Sequence, residues 1–146
     1  SRERCVFPGE NWFFSFSNPM NDKTNSLTQR IIGFAIEANR QLGPGLLESI
    51  YECALAVELD LAGIPYARQV IFPVGYKGRV IGEHRIDLLV SSQVVMELKA
   101  VERHEGIFDA QLLSYLRITG CPVGLLINFN TRLLKDGIKR VILTPP

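Results

Sequence analysis

The sequence predicts a single α/β domain, with elements in the order ααβββαββ around a mixed β-sheet flanked by helices. Three observations carry that expectation. Two stretches with apolar residues at three- and four-residue steps precede any β-branched alternation. A meander of alternating and apolar strands follows, and a third helical stretch separates it from a short, wholly apolar run. The 146 residues, 47% hydrophobic and 21% charged, are the size of one core. A chain of that size hides roughly 68–70% of its extended surface and needs neither disulfides nor structural metal to fold. No run approaches the ~20 consecutive apolar residues of a membrane span, so no membrane partner is expected. Lys+Arg 16 against Asp+Glu 15, a net charge of +1, provides no bulk field for a polyanion. Contact with nucleic acid would have to be local.

Residues 1–19 hold the only Trp and four of the eight Phe, yet follow neither a helical nor an alternating period. The apolar stretch from Trp12 to Phe16 is too short for a secretory signal. Met20 stands before a polar NDKTNS stretch and is the expected natural initiator, which makes the preceding residues a leader; the alternative is an aromatic arm that docks on a surface. Residues 1–24 are therefore expected to lie outside the fold, and 25–144 to form the domain.

Ser26 followed by Gln29 has the form of a capping box, and Leu27, Ile31, Phe34, Ala35, Ala38 and Leu42 continue a helical stripe over about 27–42. Gly43-Pro44-Gly45 ends it. A second helix is expected from about Leu46 to Ala62, stopped by Gly63-Ile64-Pro65. Strands follow at 66–74, 79–90 and 93–101, with a turn at Gly75-Tyr76-Lys77-Gly78. A third helix spans about 105–119, the run Val123 to Phe129 reads as a buried strand, and a last strand, about 138–143, follows the Lys135-Asp136-Gly137 turn. Cys5, Cys53 and Cys121 are an odd, widely spaced set without a CxxC pair, which suits a reducing compartment such as the cytoplasm. Cys53 and Cys121 have apolar neighbours and are expected to be small buried hydrophobes.

Register in the second hairpin follows from parity. With a three-residue loop at Ser91-Ser92-Gln93, Val90 lies opposite Val94, Leu88 opposite Met96 and Ile86 opposite Leu98, which makes one face wholly apolar. The other face then sets Asp87 opposite Glu97, with Lys99 two residues on and Arg85 beside it. Directly opposed like charges destabilise a sheet by up to ~1 kcal/mol. A divalent cation shared by the two carboxylates removes that cost, and a nearby ammonium can orient a water for attack on phosphorus. An E-x-K strand alone is more ordinarily a solvated face. Two further features join it: Glu48 just inside the second helix with Tyr51 at i+3, and Gln111 with Tyr115 at i+4 on the third. Each has a plain alternative, Glu48 as a favourable charge at a helix N-terminus and Tyr115 as a core residue with its hydroxyl near the surface.

Gly45-x-x-Glu48-x-x-Tyr51 matches the motif that names the GxxExxY protein family, which is similar to the PD-(D/E)xK nuclease superfamily. The resemblance runs from about Leu27 to Leu143 and includes Ile86-Asp87, Glu97-Leu98-Lys99, Gln111-Leu112-Leu113-Ser114-Tyr115 and Gly124-Leu125-Leu126-Ile127-Asn128-Phe129. It implies a restriction-endonuclease-like core in which Asp87 and Glu97 bind metal, Lys99 serves the water and Glu48 supplies a further carboxylate. The Gln111-x-x-x-Tyr115 pair looks like the helix motif of RecB-like nucleases that supports the site and the substrate strand. Ile86 replaces the proline of the superfamily's name, an easier residue inside a strand.

The expected function is Mg²⁺- or Mn²⁺-dependent phosphodiester hydrolysis of nucleic acid, DNA ahead of RNA. Glu48, Asp87, Glu97 and the Leu98 carbonyl would hold metal and Lys99 would position the water. Tyr51, Arg85, Gln111 and Tyr115 would support the site or substrate, and Arg103 and Arg117 join Arg85 as candidates for phosphate contact. The competing expectation is a nuclease-derived binding module that no longer cuts. A Ser or Cys hydrolase lacks a His partner in the motif set, since His84 and His104 look incidental. A homodimer is expected by analogy with small nucleases of this fold. The three carboxylates and Lys99 together carry −2, so the rest of the chain carries +3.

Overall fold

Helix α1, Asp22–Leu42, starts where Asn21 takes an extended conformation and its side chain accepts the Thr24 N–H at 2.9 Å. The computed structural model describes residues 21–144, so the expectations for the aromatic N-terminal segment and for Met20 lie outside the described residues. The boundary expected at residue 25 moves: residues 22–24 are helical, and Thr24 is buried with its hydroxyl donating to Gln93 Oε1 at 2.5 Å. Asn21 caps the helix because its side chain satisfies an otherwise orphaned N–H, and Ser26 falls inside. At the other end, Gly43 sits at φ 72° and its N–H donates to the Asn39 carbonyl at 2.7 Å.

Helix α2, Glu48–Ala62, begins two residues later than its apolar stripe suggests, because Leu47 stays extended as N-cap. Strands β1 (Tyr66–Tyr76), β2 (Arg79–Val90) and β3 (Val94–Lys99) form the meander. Helix α3 (Gly106–Thr119) then leads to β4 (Val123–Asn128), a 3-10 turn at Leu134–Gly137 and β5 (Ile138–Ile142). The sheet order is β1-β2-β3-β4-β5, antiparallel except for β3 beside β4, which run parallel across α3. This is the mixed sheet and element order expected, an α/β fold of the restriction-endonuclease-like kind.

Helices cover both faces. Ile31 and Ala35 of α1 and Tyr51, Leu55 and Leu59 of α2 pack on Leu88, Val90, Met96, Leu98, Leu125 and Ile127. On the opposite face Leu112 and Leu116 of α3 meet Val70, Phe72, Ile86, Leu89, Val95 and Leu126. Each fully buried aliphatic side chain contributes roughly 1.5–3 kcal/mol, so these two layers supply most of the driving force. The approach of α3 is close enough to require Gly124, since a Cβ there would stand 2.6 Å from Leu112 Cδ1. Cys121 is buried as expected, whereas Cys53 is exposed on the outer side of α2 with its Sγ accepting from Arg68 Nη2 at 3.3 Å. Among the described residues no helix is long and apolar enough to cross a membrane.

The β2–β3 hairpin has the expected three-residue turn, with Ser91 and Ser92 at φ 52° and 55° and Gln93 N–H donating to the Val90 carbonyl. Val90 faces Val94 and Leu88 faces Met96, but the ladder ends there. Ile86 does not continue that apolar face opposite Leu98; it belongs to the α3 layer. The cause is a break in alternation on both strands. In β1, Ala67 and Val70 point to the same layer although their parity differs, and Gln69 between them has φ 51°. In β2, Ile86 and Leu89 do likewise across Asp87. The β1–β2 register is unshifted from Tyr66/Val90 to Val74/Gly82, and its one omitted pair is Gln69 with Asp87. Two neighbouring strands therefore turn over at the same position, and β2 parts from β3.

Candidate active site

The parted strands open a gap that two carboxylates fill with side-chain hydrogen bonds in place of the ladder. Asp87 Oδ2 accepts the Leu98 N–H at 2.8 Å, and the Asp87 N–H donates to Glu97 Oε1 at 3.2 Å. Parity alone brought Asp87 and Glu97 to adjacent strands; the structure goes further and bonds each side chain to the opposite strand. Glu97 is 7% exposed. Burial, and then the charge of Asp87, push its carboxyl up to about 8, against a weaker opposing pull from the Asp87 N–H and Lys99. Asp87 is also raised, by burial first, with Glu52 and Glu48 adding to the effect and the Leu98 and Gln69 donors opposing it.

Groups from both helical layers reach this gap. From α2, Glu48 is the first helical residue and its Oε2 accepts the Ala100 N–H at 3.3 Å, just past the end of β3. From α3, Tyr115 is half-buried, and its hydroxyl is pushed up by burial and then by the negative charges of Glu97 and Asp87. Lys99 ends β3 with its Nζ 4.5 Å from the centre of the Phe108 ring, an ammonium held over an aromatic face. Asn128, aligned with Lys99 on β4, fixes the chain beyond it. Asn128 Oδ1 accepts the Val101 N–H and Nδ2 donates to the Val101 carbonyl.

Other expected site residues stand further off. Tyr51 is fully buried, stacked on Phe129 with ring centres 4.3 Å apart. Its hydroxyl donates to the Gly43 carbonyl at 2.5 Å and accepts the Leu46 N–H at 3.2 Å. Tyr51 thus sets the path of the loop that delivers Glu48 and presents nothing to a substrate. Arg85 is exposed and lies 3.7 Å from Glu83, turned to its own strand and not to Lys99. Gln111, Arg103 and Arg117 are exposed, Gln111 one turn before Tyr115 on α3.

Two groups beside the carboxylates, Glu52 and Gln69, were not among the expected site residues. Glu52 lies one turn beyond Glu48, is 6% exposed, and binds Arg68 Nε at 2.9 Å and Gln69 Nε2 at 2.7 Å. The i, i+4 spacing from Glu48 was the available signal. Gln69 also reaches Asp87 Oδ1 at 3.4 Å, and nothing in a strand sequence marks it. The His84 ring meets Tyr115 edge-on at 5.0 Å.

The donor set suits a hard cation. Asp87 and Glu97 each spend one oxygen on a backbone N–H, which leaves Glu97 Oε2 and, beside its 3.4 Å contact with Gln69 Nε2, Asp87 Oδ1 on adjacent strands. Among the described residues no three His, Cys, Asp or Glu side chains gather into a metal cage. Mg²⁺ does not require one, since it is commonly held by one or two carboxylates and keeps several waters.

The family model of the PD-(D/E)XK nuclease superfamily matches residues 25–141. No curated protein matches the chain. Among solved structures, the crystal structure of SSO0001 is similar at 20% identity and a TM-score of 0.46. That likeness covers 67% of this chain and 50% of the other, so the chain spans about half the length of that protein. With the family model covering most of its length and the mixed sheet in place, the chain belongs to the PD-(D/E)XK nuclease superfamily.

Proposed function

We propose that the domain formed by residues 25–141 and their N-terminal extension to Asn21 is a Mg²⁺- or Mn²⁺-dependent nuclease centred on Asp87, Glu97 and Lys99. One observation carries the reading: two carboxylates are held together in a gap between strands by hydrogen bonds to opposite backbones, where burial and then the charge of Asp87 push Glu97 up to about 8. Without metal a proton on Glu97 relieves the repulsion, and a divalent cation would relieve it with both carboxylates ionised. Asp87 and Glu97 would hold the ion, with Glu48 at its edge and the Leu98 carbonyl as a further oxygen ligand. When bound there, the ion supplies positive charge to the scissile phosphate and makes a coordinated water more acidic.

The protein's own groups have separate tasks. The backbone N–H groups of Asp87 and Leu98 orient the two carboxylates. Lys99, kept over Phe108, would donate a hydrogen bond from its Nζ–H to a phosphate oxygen or to the attacking water and so orient it. Tyr115 flanks the carboxylates and supports the substrate strand, with Gln111 one turn away. Arg103 and Arg117 lie on exposed surface where phosphates can reach them. The substrate is nucleic acid, DNA ahead of RNA, and the free thiols of Cys53 and Cys121 suit a reducing, cytoplasmic setting. A homodimer would place two such centres on a duplex.

The test is cleavage of DNA and RNA, single- and double-stranded, in Mg²⁺, Mn²⁺ or chelator. Asp87→Ala and Lys99→Ala are expected to abolish metal-dependent cleavage and to remain folded. Unchanged cleavage by both variants contradicts the reading. The competing reading is a nuclease-derived binding module without catalysis. That reading holds if the wild type binds nucleic acid but gains no melting temperature from Mg²⁺ or Mn²⁺.

A further inference from the structure

Gln69 occupies a backbone conformation that glutamine rarely adopts. At φ 51° it lies in the left-handed region inside a strand, at the one position where the β1–β2 pairing lapses, opposite Asp87. Such a conformation persists only when its surroundings hold it. Here the holding groups are two carboxylates. Gln69 Nε2 donates to Glu52 Oε1 at 2.7 Å and stands 3.4 Å from Asp87 Oδ1. Both partners are carboxyl oxygens, so the amide turns its nitrogen towards them.

Glu52 is itself secured. Its second oxygen accepts from Arg68 Nε at 2.9 Å, and the residue is 6% exposed. With one oxygen anchored by Arg68 and the other by Gln69, Glu52 is held in place and its charge faces a guanidinium. The result is a chain of contacts from Arg68 through Glu52 and Gln69 to Asp87, anchored on α2 one turn beyond Glu48.

We propose that Glu52 and Gln69 are positioning residues that fix the Asp87 carboxylate for cation binding, with Arg68 holding Glu52 in place. The inference rests on the proposed metal centre and adds residues outside it. Asp87 Oδ2 is already fixed by Leu98 N–H. The Gln69 amide defines where Oδ1 points, and the strand reversal is what brings that amide within reach. Outer groups of this kind commonly account for 10–100-fold in metal affinity.

The full chain carrying Gln69→Gly tests it. Glycine accepts φ 51° freely, so the substitution removes the amide and leaves the backbone path allowed. Mg²⁺ affinity, measured by calorimetry on the protein alone, is expected to fall about tenfold or more, while the metal-free protein stays folded with a melting temperature lowered only by the lost hydrogen bond to Glu52. A purely structural role would move the melting temperature and not the affinity. Gln69→Asn, which also tolerates the left-handed region but reaches less far, is expected to fall between the two and serves if the glycine variant does not fold. Mg²⁺ affinity within twofold of wild type in the folded variant overturns the inference. A wild type that binds Mg²⁺ but cleaves no nucleic acid overturns the nuclease reading and leaves this one standing. A wild type that binds no Mg²⁺ overturns both.

Discussion

Replacing Glu97 by Gln keeps the shape of the side chain and an oxygen to accept the Asp87 N–H, but removes the charge from the gap. In the folded protein Glu97 is pushed from the ordinary 4.5 up to about 8, chiefly by burial and then by Asp87. The folded state therefore binds a proton that the unfolded chain has released between about pH 4.5 and 8. Stability from this group is complete below the lower value and is lost as pH rises through the upper one. Each pH unit of the difference is worth about 1.4 kcal/mol, which sets a ceiling near 5 kcal/mol. Relaxation and water entry reduce it to about 2–3 kcal/mol. Without metal, Glu97→Gln should match the wild type near pH 5 and exceed it at pH 9 by that amount, on the order of 10 °C in melting temperature. Thermal unfolding in chelator from pH 5 to 9 measures the difference. If the two proteins keep the same separation across that range, Glu97 is not buried beside a second carboxylate and the reasoning fails.

The same raised carboxyl makes metal binding proton-linked. Mg²⁺ titrated at pH 7 should release close to one proton from Glu97, read from calorimetry in buffers of different ionisation enthalpy, and Glu97→Gln should release none. Tyr51→Phe leaves the Leu46 N–H and Gly43 carbonyl without their shared partner and should cost about 1–3 kcal/mol in denaturant unfolding. Its residual cleavage should persist, because Tyr51 faces no substrate. Gly124→Ala forces Leu112 away from β4 and should cost about 1–3 kcal/mol, with metal affinity retained.

Much of the architecture was legible because burial imposes a period. The stripe from Leu27 to Leu42 and the alternation around Val90 and Val94 each admit one placement of their apolar residues, and the hairpin register at Leu88 and Met96 followed from parity. The limits are equally physical. The start of α1 shifted because one side chain, Asn21, caps it, and Ser26 and Asn21 differ by too little for sequence to choose. The site was half legible. The proximity of Asp87 and Glu97 follows from spacing, but the end of the β2–β3 ladder at Leu88 and Met96, and the left-handed Gln69 opposite Asp87, are announced by no residue pattern. Parity assumes unbroken alternation, so it placed Ile86 on the wrong layer, and it says nothing of Glu52, which lies on a helix one turn beyond Glu48. Arg85 shows the converse: strand parity set it beside Lys99, while in the fold it turns to Glu83.

The central claim is that the gap between β2 and β3 is a divalent-cation site. Crystals of the wild type grown with Mn²⁺ test it most directly through anomalous diffraction. The account predicts a peak about 2.1 Å from an oxygen of Asp87 and an oxygen of Glu97, absent in crystals of Glu97→Gln. A peak that touches neither carboxylate, or none at saturating Mn²⁺, would contradict it.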